Sequence, residues 1–208
     1  MHYVEQLEDI KNYLSQRTSI RPKVGIICGT GLGFLAKEIE SSVSFPYEEI
    51  PHFPECTTKG HLGNLVFGYV NSIPVMCVQG RFHLFEGYSP QQCAIPIRIM
   101  KMMGASHVLI SNSAGGINPN FKVGNIMIIK DHVNFVGMSG FNPLRGPNLE
   151  NFGPRFPPMN EAYNKDLIEY AHKVAAEKGF DNNICEGYMR VLVDRVTKLW
   201  PKSTCLRR

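Results

Sequence analysis

Arg81, His83 and Glu86 lie close together in Gln79-Gly80-Arg81-Phe82-His83-Leu84-Phe85-Glu86-Gly87-Tyr88. An arginine presents a planar fork of donors that matches phosphate oxygens two at a time. His83 can donate to an anion, and Glu86 can orient it. Phe85 and Tyr88 can face a flat ring or a sugar. A lone arginine is usually a solvated surface residue. Three such side chains between two glycines, directly after an apolar run, favour a site.

A second constellation is Gly29-Thr30-Gly31-Leu32-Gly33, directly after the apolar run Val24–Cys28. Glycines let the backbone turn tightly and aim N–H groups at an anion, and a following helix N-terminus would add positive potential. Thr30 adds a hydroxyl donor. No Gly-Lys-Ser/Thr follows, and Phe34 stands where a dinucleotide fingerprint needs its last glycine. Alone, this loop reads equally well as a tight strand-to-helix turn. The third constellation is Asn112-Ser113-Ala114-Gly115-Gly116-Ile117-Asn118-Pro119. Small residues after a strand admit a ligand close to the backbone, although a glycine turn is the simpler reading of this segment alone. His61, in Lys59-Gly60-His61, is not singled out by its spacing, since a lone histidine is more often structural or solvated.

These loops need elements to hold them. Val4, Leu7, Ile10 and Leu14 repeat at helical spacing and predict an opening amphipathic helix. Val24–Cys28 reads as a strand, followed by a helix-like stretch to Glu40. Leu65–Val70 and Ile73–Val78 read as strands joined by a turn at Asn71-Ser72. A helix is expected over Gln91–Met103, bent near Pro96, with strands over Val108–Ser111 and Ile126–Ile129. Residues 136–158 are rich in glycine and proline and read as a long loop, often a functional feature. Glu161–Lys178 reads as a helix ended by Gly179. Strands alternating with helices point to one α/β domain, in which ligands bind beyond strand C-termini. The residues by themselves therefore describe an anion-binding pocket, with phosphate the favoured anion.

Composition sets the bounds. A chain of 208 residues with 43% hydrophobic and 19% charged residues can form an ordinary globular core. No apolar run approaches the length of a bilayer span, and the acidic amphipathic start is no secretory signal, so no membrane role is expected. The net charge is +4, but residues 188–208 hold six basic groups and one acidic group. The other residues carry 16 basic and 17 acidic groups, so a nucleic-acid partner loses its support. The six cysteines form no CxxC pair, and no metal-ligand spacing is present. No metal is expected, and a cytoplasmic setting is.

Longer stretches make the chain resemble the trimeric, mammalian-type purine nucleoside phosphorylases. They are GIICGTGLG (25–33), IPHFPECTTKGH (50–61), LVFGYV (65–70), QGRFHLFEGY (79–88), SNSAGGINPNFKVGNIMIIKDHVNF (111–135) and NPLRGPN with FGPRFP (142–157). The resemblance implies a single α/β domain with a mixed central sheet flanked by helices on both sides, assembled as a homotrimer. It implies phosphate-dependent cleavage of purine nucleosides to the free base and (deoxy)ribose 1-phosphate, with inorganic phosphate as co-substrate and no cofactor. Thr30, His61, Arg81, His83 and the Ser113 backbone then stand at phosphate contacts. Glu86 stands beside the phosphate and His83, the pair carrying the catalytic roles. Phe85 and Phe156 stand at nucleoside contacts, Phe156 reaching a neighbouring subunit's ribose and base. Phe85 replaces the family's usual tyrosine and so lacks its hydroxyl. A methylthioadenosine phosphorylase, or a non-catalytic subunit joining full-length copies, is the alternative.

The resemblance covers residues 1–187. The base-binding segment expected next is absent from this reading frame, so impaired activity and an exposed sheet edge are expected. Residues 188–208 read as an aberrant basic tail. Shifting the frame by one base at Gly187, with permitted synonymous codons, converts Tyr188–Lys202 into Val-Tyr-Ala-Ser-Val-Gly-Gly-Pro-Ser-Tyr-Glu-Thr-Val-Ala-Glu, the missing segment. Taken at face value, Leu192, Val196, Leu199 and Trp200 would form one face of a short basic amphipathic helix.

Overall fold

The structure, a computed structural model, describes residues 2–29, 31–57 and 62–191. It divides into two compact units, Met1–Ser113 and Ala114–Arg208.

The first unit is built on a five-stranded mixed sheet of order β2-β3-β4-β1-β5. The strands are β1 (Val24–Ile27), β2 (Glu40–Pro46), β3 (Asn64–Val70), β4 (Ile73–Gln79) and β5 (His107–Ile110). β1 pairs in parallel with both β4 and β5, while β3 is antiparallel to β2 and β4. Asn71 and Ser72 adopt φ of 47° and 65°, the left-handed pair that a two-residue hairpin turn requires. β2 is not foreshadowed by its sequence. Its serine-rich ESSVSFP shows weak strand patterning, carries a register shift between Glu40 and Val43, and is held as a strand by pairing with β3.

Helices α1 (Tyr3–Arg17) and α2 (Pro90–Met103) pack together against one face of the sheet. Leu7, Ile10 and Leu14 of α1 and Ile95, Ile99 and Met100 of α2 are buried there. A Cβ on Gly25 would meet the Met100 sulfur at 2.3 Å, so glycine lets the helix approach β1 closely. Ser89 caps α2, accepting from the Gln92 N–H while the Gln92 side chain accepts from the Ser89 N–H at 2.9 Å. Pro96 stands within α2 without ending it. On the opposite face Cys28, Val66, Val75 and Cys77 pack with Ala36 and Ile39. Ala36 lies in a 3-10 turn, Gly33–Glu38, where a longer helix was expected.

The second unit pairs β6 (Ile126–Asn134) in parallel with β7 (Ile184–Val191). β6 is longer than its expected Ile126–Ile129, and β7 was not anticipated. β7 runs through Gly187 to Val191, pairing Asp131–Asn134 with Tyr188–Val191, so the first residues of the basic tail are strand. The rest of that tail, residues 192–208, lies outside the described residues. Helix α4 (Lys165–Glu177) starts at Asn164, whose side chain accepts from the Leu167 N–H. Glu186 of β7 links Lys130 of β6 at 2.7 Å and His172 of α4 at 2.6 Å. The expected loop over 136–158 is mostly loop, entered by the one-turn helix α3 (Phe135–Met138) and tied by Arg155 to the carbonyls of Leu144 and Gly146. Among the described residues, no helix is long and apolar enough to cross a membrane.

Candidate active site

Parallel pairing of β4, β1 and β5 brings their carboxyl ends to one edge of the sheet. Three loops leave that edge side by side: Gly80–Tyr88 after β4, the glycine loop after β1, and Ser111–Ser113 after β5. Ser111 ties them. Its hydroxyl donates to the Ile27 carbonyl at 3.2 Å and accepts from the Gly29 N–H at 3.0 Å. Its own carbonyl accepts from Arg81 Nη1 at 3.4 Å, so the arginine reaches across β1. A Cβ on Gly29 would sit 2.6 Å from the Ser111 carbonyl oxygen, leaving no room for any other residue.

The loop after β4 is held by its own side chains. His83 and Glu86 bracket a 3-10 turn, Leu84–Glu86, over which the Glu86 side chain folds back onto His83. Glu86 Oε2 accepts from the His83 N–H at 2.9 Å and from its Nδ1 at 2.7 Å. Glu86 Oε1 accepts from the Thr57 N–H at 3.3 Å and from the Thr57 hydroxyl. The Glu86 side chain is 3% exposed and that of His83 19%. Four donors facing one carboxylate are the partners an ionised carboxylate takes. With Nδ1–H committed to Glu86, Nε2 is the ring nitrogen on the side away from the carboxylate. Phe85 stacks on the His83 ring at 4.8 Å and 25°, restraining it further.

Glu86 also shapes its surroundings. Burial, then the Glu86 charge, pushes the Cys56 thiol up to about 11, and the same causes push Cys93 up to about 11. Below the loop, Tyr47, Phe53, Phe82 and Tyr88 form an aromatic cluster with centroids 4.8 to 5.6 Å apart. Tyr47 donates to the Gly80 carbonyl at 2.8 Å, and Gly80 sits at φ 132°, which lets the chain leave β4.

Arg81, His83, Phe85 and Glu86 thus share one loop, with Ser113 following β5 on the far side of β1. Thr30 and His61 lie outside the described residues. Phe156 stands in the second unit, 87% exposed. Two expectations change. Tyr88 is not a ligand-facing ring: it packs edge-on to Phe82 at 67° and donates to the Glu55 carbonyl at 2.7 Å. The glycine loop does not open a long helix. Six residues of 3-10 helix align too few peptide dipoles to supply the expected helix N-terminal potential, and the Gly29 N–H is already used by Ser111. Thr57 and Ser111 were missed, because a threonine or serine carries no signature until folding supplies its partner.

A mixed sheet with polar loops gathered at the carboxyl ends of its parallel strands defines an α/β protein with its ligand edge there. The model for the phosphorylase superfamily matches residues 23–192, and the chain belongs to that family. It is similar to the purine nucleoside phosphorylase of Anopheles gambiae, 52% identical over 88% of this chain and 52% of that protein. It is 45% identical to the purine nucleoside phosphorylase of Bos taurus over 88% of this chain and 63% of that one. The crystal structure of Schistosoma mansoni purine nucleoside phosphorylase with adenosine superposes with a TM-score of 0.86 at 43% identity, over 91% of this chain and 66% of that chain. The isoform 2 enzyme with cytosine and ribose-1-phosphate gives 0.86 at 44% identity, over 90% and 66%. The chain thus spans between about half and two thirds of the length of these relatives.

Proposed function

We propose that the protein to which these residues belong is a purine nucleoside phosphorylase. It cleaves purine (deoxy)ribonucleosides with inorganic phosphate to the free base and (deoxy)ribose 1-phosphate. The observation that carries the reading is the buried Glu86 carboxylate holding His83 beside Arg81 at the ligand edge of the sheet. The names of the relatives support the substrate class.

In this reading Arg81 donates to phosphate oxygens and His83 Nε2 accepts from the phosphate P–OH, with Thr30, His61 and the Ser113 N–H completing the contacts. Glu86 keeps the His83 ring oriented through its Nδ1 contact. As the C1′–N bond lengthens, the sugar gains oxocarbenium-like charge, as in other glycosyl transfers. A phosphate held under C1′ stabilises that charge and then bonds to the carbon through one oxygen. The C1′–N electron pair leaves with the purine, which takes up a proton. Phosphate is the co-substrate, and the scheme needs no metal, cofactor or covalent enzyme nucleophile. Phe85 and Phe156 pack against the nucleoside, Phe156 from a neighbouring copy in a homotrimer. The setting is cytoplasmic.

The test is base release from inosine, guanosine and methylthioadenosine by the purified protein, with and without phosphate. Phosphate-dependent release from inosine or guanosine, with equimolar ribose 1-phosphate, is expected. Release confined to methylthioadenosine, or independent of phosphate, would overturn it.

A further inference from the structure

Residues 55–57 are stitched to the loop after β4 at each position. The Glu55 carbonyl accepts from the Tyr88 hydroxyl at 2.7 Å. The Cys56 sulfur lies 3.8 Å from the Arg81 carbonyl oxygen. Thr57 donates twice to Glu86 Oε1, through its N–H at 3.3 Å and through its hydroxyl. Glu86 therefore divides its oxygens: Oε2 serves His83, and Oε1 serves Thr57.

That division matters because the terminal torsion of a glutamate is soft. A carboxylate bonded at one oxygen can swing about that contact and present the histidine with poor geometry. The Thr57 N–H restrains Oε1 at 3.3 Å, and the closer Thr57 hydroxyl narrows the remaining swing and holds Oε2 in line with Nδ1. We propose that Thr57 is a positioning residue for the Glu86–His83 pair. Its hydroxyl pins Glu86 so that His83 keeps its proton on Nδ1 and turns Nε2 to the phosphate. The proposal rests on the phosphorolysis reading for its consequence in catalysis. Its structural half stands apart from that reading, because the His83 tautomer exists whether or not a nucleoside binds. Thr57 acts through Glu86 and need touch neither phosphate nor sugar.

The test compares Thr57→Val, which keeps the shape and loses the hydroxyl, with Thr57→Ser, which keeps the hydroxyl. The first readout is the nitrogen NMR spectrum of the His83 ring in the ligand-free protein, assigned by its loss in His83→Gln. The Nδ1–H tautomer dominates in the parent and in Thr57→Ser and becomes a mixture in Thr57→Val. The second readout is phosphorolysis. Thr57→Val loses about tenfold in kcat, the order expected for one hydrogen bond to a charged group. Its nucleoside KM stays within about twofold, the pattern of an interaction that matters in the transition state. The acid limb of its pH profile moves, and Thr57→Ser restores both. If Thr57→Val does not fold, Thr57→Ala removes the same hydroxyl. An unchanged His83 tautomer overturns the proposal, as does equal damage from Thr57→Ser. Inactivity of the parent toward every purine nucleoside overturns the functional reading instead, and the spectrum still decides the role of Thr57.

Discussion

Val75, Met76, Cys77 and Val78 of β4 are each 3% exposed or less. Ile126 of β6 is as apolar, yet it is 57% exposed, and no residue of that strand is buried. β4 lies between β3 and β1 and is covered on both faces, whereas β6 has one strand neighbour among the described residues. The contrast extends to the units they belong to. Most buried apolar residues lie in the first unit, while the second contributes Val136 and Ala175 among the described residues. The loop after β4 inherits a rigid base, and its charged side chains are wired to backbone and to each other. Phe156 and the chain before it rest on local loop hydrogen bonds. An anion site that works by preorganised donors needs the first kind of support, because each donor must already be aimed when the ligand arrives. A residue that packs on a nucleoside from an exposed loop tolerates the second.

Glu86→Ala attacks the best-wired point and has the largest expected effect. It leaves donors from His83 and Thr57 facing a cavity, each worth about 1–3 kcal/mol when unsatisfied. A drop in melting temperature together with at least about a hundredfold loss of phosphorolysis is expected. Phe156→Ala, in the other region, raises nucleoside KM and leaves the melting temperature unchanged. Equal melting losses from the two variants would erase the contrast.

Native-state hydrogen exchange tests the same contrast without substitution. Amides of β1 and β4 should exchange slower than those of β6 and β7, by on the order of a hundredfold. Gly29→Ala comes next. Its Cβ meets backbone at 2.6 Å, so β1 and β5 must part at their ends. About 1–3 kcal/mol should be lost in denaturant unfolding, as for other overpacked sites.

Thiol chemistry probes the Glu86 field. With the Cys56 thiol raised to about 11, only about one thiolate in a thousand is present at pH 8, so alkylation is slow and accelerates above pH 10. Glu86→Gln removes one cause of that rise and should shift the onset to lower pH. The smallest effect belongs to Glu186→Gln in the second unit. Hydrogen bonds from Lys130 and His172 hold the Glu186 carboxyl below its ordinary range. Its contribution is therefore full above the unfolded carboxylate range and fades as pH falls through the folded value. The variant should differ slightly from the parent at neutral pH and converge with it in acid.

The strands β1, β3 and β4 were legible because each is a short apolar run bounded by turn residues. The Asn71-Ser72 turn was legible because few other residue pairs take two positive φ values comfortably. β2 and β7 were not legible. Their residues lack a strong pattern, and pairing with β3 and β6 makes them strands. The Arg81–His83–Glu86 grouping showed in the sequence since its members are neighbours in the chain. Thr57 and Ser111 did not, since their partners stand 29 and 82 positions away.

The sequence alone determined the residue types, the α/β order of elements and the resemblance that points to phosphorolysis. Those depend on local pattern and on contiguous motifs. Tertiary structure alone decided which loops meet at the sheet edge and how Glu86 shares its two oxygens. It also decided that Tyr88 braces a loop and that the glycine loop leads into a short 3-10 turn. Each of these is a competition between partners distant in sequence, and only the folded chain sets the distances that choose among them.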